Sequence, residues 1–138
     1  MATETETRKR LPPDVFDLPV EKMREGYYTD AYFNHTRETL LRDGRHPRVV
    51  MQVFQRNQAM LGGVDEAIAI LKLCSHDWDA LTVHALRDGD RLEPWESALT
   101  IEGDYTLFAH LETVYLGVLT RRTLITTNTA RVVGGSLS

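Results

Sequence analysis

Apolar and polar residues alternate along the chain in a way that marks out its elements. Between Thr29 and Arg42 the side chains of Tyr32, Phe33, Thr36, Leu40 and Leu41 recur at roughly i, i+4, i+8 spacing, the stripe of an amphipathic helix. Thr29 or Asp30 supplies its N-cap and Asp43-Gly44 its stop. After the His46-Pro47 break, Arg48 to Arg56 carries Val49, Met51 and Val53 on one side and Val50, Gln52 and Phe54 on the other, which predicts a strand. Gly62-Gly63 marks a turn. Val64, Ala67, Ile68, Ile70 and Leu71 follow at helical spacing, with Asp65 and Glu66 in the first turn where the helix dipole favours acids, so a helix spans Val64 to Cys74.

Asp79 to Leu86 reads as a strand with Leu81, Val83 and Ala85 on one side. Asp88-Gly89-Asp90 is a turn, Arg91-Leu92-Glu93 a short strand, Pro94-Trp95 a turn, and Ser97 to Glu102 a further strand that Gly103 ends. Tyr105 to Leu119 is amphipathic through Phe108, Leu111, Glu112, Tyr115, Leu116 and Leu119, and predicts a helix. Arg121 to Val133 predicts another, although its β-branched residues lower helix propensity. Near the start, residues 1–13 read as a disordered arm, and Asp14 to Pro19 as extended chain with Val15, Phe16 and Leu18 free to pack. The order of helix, strand, helix, three short strands and helices is an α+β arrangement with an antiparallel or mixed sheet.

The length of 138 residues suits one domain or part of one, and is short of the roughly 250 residues of a (β/α)₈ barrel. With 42% hydrophobic and 26% charged residues the chain has enough apolar surface for a core. The net charge is −4, and the tight basic clusters are Arg8-Lys9-Arg10 and Arg121-Arg122, so no nucleic-acid partner is expected. The single cysteine, Cys74, makes no internal disulfide and no Cys-rich zinc site, and its place after an apolar run reads as a buried thiol. No run approaches the ~20 apolar residues of a membrane span, and the start, with Glu4 and Glu6, lacks the apolar core of a secretion signal. A cytoplasmic protein without a membrane partner is the expectation.

Dinucleotide, P-loop, zinc-protease and nucleophile-elbow motifs are missing, and the five histidines show no metal-ligand spacing. Residue chemistry alone therefore stops at an α+β domain with no catalytic residue and no metal ligand assigned. Two segments stand out. Tyr27-Tyr28-Thr29-Asp30-Ala31-Tyr32-Phe33 packs four aromatics into seven residues, in a chain that is 8% aromatic. They read either as a core cluster at a helix start or as a stacking platform for a flat ligand beside an anion-favouring helix N-terminus. Leu119 to Arg131 holds five threonines and three arginines, and reads either as a surface of back-bonded hydroxyls or as a polar cleft wall.

Tyr28-Thr29-Asp30-Ala31-Tyr32-Phe33 resembles the (T/S)D-x-Y start of the nicotinate phosphoribosyltransferase family. The resemblance continues through Gly63-Val64-Asp65-Glu66-Ala67, Asp88-Gly89-Asp90-Arg91-Leu92-Glu93-Pro94 and Ile101-Glu102-Gly103-Asp104-Tyr105. It then runs through Leu111-Glu112-Thr113-Val114-Tyr115-Leu116-Gly117 to Ile125-Thr126-Thr127-Asn128, and so covers Phe16 to Gly135.

The resemblance implies a type II phosphoribosyltransferase, whose N-terminal region is an α/β sandwich (hammerhead-like) and whose remainder is an irregular α/β barrel. On that reading residues 14–119 form the sandwich with a linking helix, and residues 120–138 begin a barrel that this chain does not contain. The family joins nicotinate to phosphoribosyl pyrophosphate, giving nicotinate mononucleotide and pyrophosphate, with ATP and Mg²⁺ in the complete enzyme. Neither is expected to bind these 138 residues tightly, and the isolated chain is expected to be inactive. The resemblance further implies a homodimer with each site completed in trans. Tyr32 is the ring platform with Asp30 beside it, and Tyr28 and Thr29 are neighbours. Thr127 is a further substrate contact, in the stretch Arg121, Arg122, Thr126, Thr127 that replaces a small Ser-Gly of many relatives.

Quinolinate-using relatives carry an arginine after the helix glutamate, and here Thr113 follows Glu112, which favours a monoacid. The alternatives are a part of a nicotinamide- or quinolinate-using relative, or a non-enzymatic module that binds a partner through the apolar face of Tyr115, Leu116 and Leu119.

Overall fold

Alternating burial along three strands builds the main sheet. In the computed structural model, which describes residues 9–134, β1 (Arg48–Phe54) and β3 (Thr82–Ala85) flank β5 (Ser97–Asp104), antiparallel on both sides. Met51 and Val83 stand opposite Ile101 across the two ladders, and Ile101 is fully buried. A second sheet pairs β2 (Ala59–Met60) with β4 (Arg91–Leu92). Among the described residues the α-helices are α1 (Val20–Arg24), α2 (Ala31–Arg42), α3 (Val64–Cys74) and α4 (Glu112–Val132). One core joins Ile68, Ile70 and Leu71 of α3, Leu99 and Ile101 of β5, and Tyr115, Val118 and Leu119 of α4. Cys74 is buried there beside the Met23 thioether, and burial raises its thiol pKa to about 11.

Helix α3 spans the expected residues, and Asp88 accepts from the Val64 and Asp65 amides at its start, at 2.7 and 3.2 Å. Elsewhere the boundaries move, for identifiable reasons. β5 continues through Gly103 to Asp104, because a residue without a Cβ lets the strand pass Ala80 and Leu81. A Cβ there would lie 2.7 Å from Leu81 Cδ2. Tyr105 to Leu111 is two 3₁₀ turns, not helix. Asp104 caps the first by accepting from the Thr106 amide, and Phe108 and Leu111 are buried beneath them. The strand expected from Asp79 begins at Thr82, after a 3₁₀ turn over Trp78–Ala80. The two helices expected after Tyr105 are one, α4.

That helix is fastened to the second sheet by threonine hydroxyls. Thr127 Oγ1 accepts from the Met60 amide at 3.0 Å and donates to the Met60 carbonyl at 3.3 Å. Thr123 repeats the pattern on Gly62, at 3.3 and 3.2 Å. Two residues of strand and four of helix both advance ~6–7 Å, so the hydroxyls meet alternate residues of the extended chain. Close approach requires glycine: a Cβ on Gly62 would stand 2.6 Å from the Arg122 carbonyl oxygen.

Residues 1–8 of the expected arm lie outside the described residues. From Arg10 the chain is held: its guanidinium donates to the Ala85 and Leu86 carbonyls, and the Leu11 amide to Asp65. Pro13–Val15 form a 3₁₀ turn where extended chain was expected, and α1, unforeseen, buries only Met23.

Candidate functional site

The aromatic segment is not core. Tyr27, Tyr28 and Tyr32 are 69%, 44% and 70% exposed, and α2 has no buried residue. Its inner side is Phe33, Thr36, Arg37 and Leu40, half-buried, and Arg37 Nε donates to the Thr106 carbonyl at 2.6 Å. Local hydrogen bonds fix how the rings are presented. Asp30 is the N-cap of α2, its carboxylate accepting from the Tyr32 amide at 2.9 Å. Gly26, at φ +80°, bends the chain under Asn34, whose side-chain amide donates to the Gly26 carbonyl. Tyr27 and Tyr28 meet edge to face, as do Tyr32 and Phe33.

Two long-range bonds tie this segment to α4 and the turn before it. The Thr29 hydroxyl donates to the His110 carbonyl, and the Asp30 amide donates to Thr113 Oγ1 at 3.1 Å. Thr113, Gly117 and Arg121 stand at i, i+4 and i+8 on one face of α4. With Pro19, Met23, Tyr28 and Val114 they line a cleft of about 400 Å³. Of the expected site residues, Tyr28 lines this cleft beside Thr113, Asp30 is bonded to Thr113 and Thr29 to the turn before α4, whereas the Tyr32 ring, packed against Phe33, is not part of the cleft lining. Thr127 is not. It is buried outside that cleft, and its hydroxyl is committed to β2. It borders a separate groove of about 580 Å³ with Phe54, Arg56, Asn128 and Arg131.

Behind Thr113 the chain is polar but closed. Glu112 is buried and accepts from the Tyr105 hydroxyl at 2.9 Å. Burial, then Glu112, raises the Tyr105 pKa. Burial raises the Tyr115 pKa in the same way. His110 is buried too, its Nε2 2.9 Å from the Cys74 carbonyl, and burial pushes its pKa down to about 4. Among the described residues no group of three or more His, Cys, Asp or Glu side chains is placed to hold a metal ion. No helix is long and apolar enough to cross a membrane.

The cleft residues Pro19 and Met23 were not foreseen, since Pro19 flanks and Met23 belongs to α1, a helix too short to leave a pattern. Arg121 belongs to the Leu119–Arg131 stretch that read as either a surface or a polar cleft wall, while Gly117 had no assigned place in a site.

A family model described as Quinolinate phosphoribosyl transferase, N-terminal domain, matches residues 30–123. No curated protein matches the chain. Among solved structures, nicotinate-nucleotide pyrophosphorylase from Pyrococcus furiosus is 29% identical with a TM-score of 0.62, over 75% of this chain and 27% of its own. Human nicotinic acid phosphoribosyltransferase is 21% identical with a TM-score of 0.65, over 75% of this chain and 28% of its own. A NadC deletion mutant is 23% identical with a TM-score of 0.68, over 91% of this chain and 43% of its own. The chain thus spans 27–43% of the length of these structures. The last two likenesses are of fold. The stretch matched by the family model contains Asp30, Tyr32, Thr113 and Arg121.

Proposed function

The chain belongs to the quinolinate phosphoribosyl transferase N-terminal domain family, and from that premise we propose that it supplies the pyridine-holding portion of a nicotinate phosphoribosyltransferase. In the proposed reaction the pyridine nitrogen bonds to the anomeric carbon of phosphoribosyl pyrophosphate as the bond from that carbon to pyrophosphate breaks. The products are nicotinate mononucleotide and pyrophosphate. Catalysis of such a displacement rests on holding the ring in line and neutralising the leaving group. This chain's part is the first: Tyr32 offers an exposed face for the ring, with Asp30, Tyr28 and Thr29 around it.

The observation that carries the reading is the Asp30 amide bond to Thr113. It joins the aromatic segment to the helix position that, in quinolinate-using relatives, is expected to hold an arginine. A neutral threonine there offers no cation for a second carboxylate, which favours nicotinate over quinolinate. The family description and the Pyrococcus likeness support quinolinate as the competing substrate. In our reading the phosphate groups, with Mg²⁺ and ATP, are handled by a barrel module in a cytoplasmic homodimer whose sites are completed in trans. The 138 residues alone do not turn over.

The test is to purify the protein as its source cells make it and supply phosphoribosyl pyrophosphate, Mg²⁺, ATP and one of nicotinate, quinolinate or nicotinamide. Chromatography should show mononucleotide from nicotinate alone. Consumption of quinolinate with release of carbon dioxide would replace this reading with the competing one. Robust turnover by the isolated 138-residue chain would overturn the need for a barrel.

A further inference from the structure

We propose that the cleft between α1 and α4 receives the carboxylate end of a planar aromatic monoacid, with Arg121 as its specificity-determining cation. This rests on the pyridine reading above and assigns it a charge partner. The cleft volume of about 400 Å³ is in the ~300–1,000 Å³ range of small-molecule sites. Pro19, Met23, Val114 and the Tyr28 ring give it apolar walls around the cation. Among the described residues Arg121 is the one charged residue lining it, and Thr113 adds a hydroxyl.

The placement of Arg121 is specific. Its neighbour Arg122 is engaged with Glu66 at 3.5 Å, whereas Arg121 pairs with no carboxylate among the described residues. Its guanidinium lies back along the helix over Gly117, where a Cβ would stand 3.3 Å from Nη1. The missing side chain one turn earlier leaves space for the fork, and so brings the charge into the cleft rather than away from it. A guanidinium binds a carboxylate through two parallel hydrogen bonds. One guanidinium matches one carboxylate. A dicarboxylate would carry its second charge into a cleft with no further cation among the described residues, and a carboxamide would forgo the charge pairing.

The proposal is tested by titrating the ¹⁵N-labelled 138-residue chain with nicotinate, nicotinamide and quinolinate and following its amide resonances. Nicotinate should shift Tyr28, Thr113 and Gly117 saturably, at least tenfold more tightly than nicotinamide or quinolinate. R121Q should lower nicotinate binding to the nicotinamide level without changing the melting temperature, since Arg121 is exposed. G117A, whose Cβ would stand 3.3 Å from Nη1 and crowd the guanidinium, should weaken nicotinate binding in the same direction. Equal binding of nicotinate and nicotinamide, or full retention of binding by R121Q, would overturn the role of Arg121 and leave the pyridine reading standing. Shifts confined to the Phe54–Gln58 groove, or no shifts at all, would overturn the cleft as the site, and the turnover assay judges the enzyme reading separately.

Discussion

Lowering the pH should destabilise this fold through one buried ring, His110. The side chain is 2% exposed, and Nε2 is the donor, since its partner is the Cys74 carbonyl. Nδ1 is then the bare nitrogen, buried with no partner among the described residues. Protonation there would put a charge and an unmatched N–H in the interior, with the His76 ring 4.5 Å away and Arg37 and Arg24 adding repulsion. Burial, reinforced by those cations, takes the pKa from 6.5 to about 4. Because the folded pKa is the lower, the unfolded chain binds a proton between those values that the folded chain refuses. Stability is therefore full above pH 6.5, falls as the pH drops toward 4, and levels off below it. At 1.36 kcal/mol per pKa unit the loss is about 3 kcal/mol. Burial lowers the His76 pKa as well, which adds in the same direction. The assay is urea unfolding at intervals from pH 7 to 4, on the native chain and on H110Q. Glutamine still donates to the Cys74 carbonyl but does not titrate. Carboxylates contribute equally to both proteins, so the difference in slope isolates His110. Parallel slopes would refute the reasoning.

Three further outcomes follow from the packing and the site. Gly62→Ala should cost about 2 kcal/mol in thermal melts, because the new Cβ would meet Thr126 Oγ1 at 2.3 Å and the Arg122 carbonyl at 2.6 Å, forcing α4 off β2. Thr127→Val should cost about 2 kcal/mol by leaving the Met60 amide and carbonyl without their partner, and faster amide exchange at Met60 would report it. Tyr32→Ala in the assembled enzyme should raise the pyridine KM, with about 1–3 kcal/mol of stacking lost, while the 70% exposed ring predicts an unchanged melting temperature. An unchanged KM would remove Tyr32 from the site.

Elements that satisfy their own needs locally were readable in the chain. Helix α3 carries its acids, its apolar spacing and its turn within a dozen residues, and the alternation of β1 and β5 declares a half-buried sheet. What could not be read was set by distant partners. An apolar stripe says nothing of how much of it is covered, so the choice between core cluster and exposed platform stayed open for the aromatic segment; Tyr27 and Tyr28 before α2 and Tyr32 in it face solvent, while Phe33 and Leu40 are half-buried. The start of α4 was obscured because the buried Phe108 and Leu111 mimic helical spacing while sitting on 3₁₀ turns. At the site, the Asp30 cap was legible from Thr29-Asp30 ahead of the helix. The bond from Asp30 to Thr113 spans 83 residues and has no local signature. Threonines 123 and 127 were visible as an oddity, but their task became clear only beside the backbone of residues 60–62.

That fastening has a consequence for how the molecule behaves among its own copies. The outer margin of a strand is normally an open row of donors and acceptors, and a standing invitation to add a neighbour's chain. On β2 the outward amide and carbonyl of Met60 are already matched by a hydroxyl that both gives and takes, and those of Gly62 extend the same line. A helix thereby stands in for one more strand and terminates the ribbon without lengthening it. Two threonines one turn apart do the work that charged or proline-bearing margins do in other sheet proteins, and they keep this edge from templating aggregation.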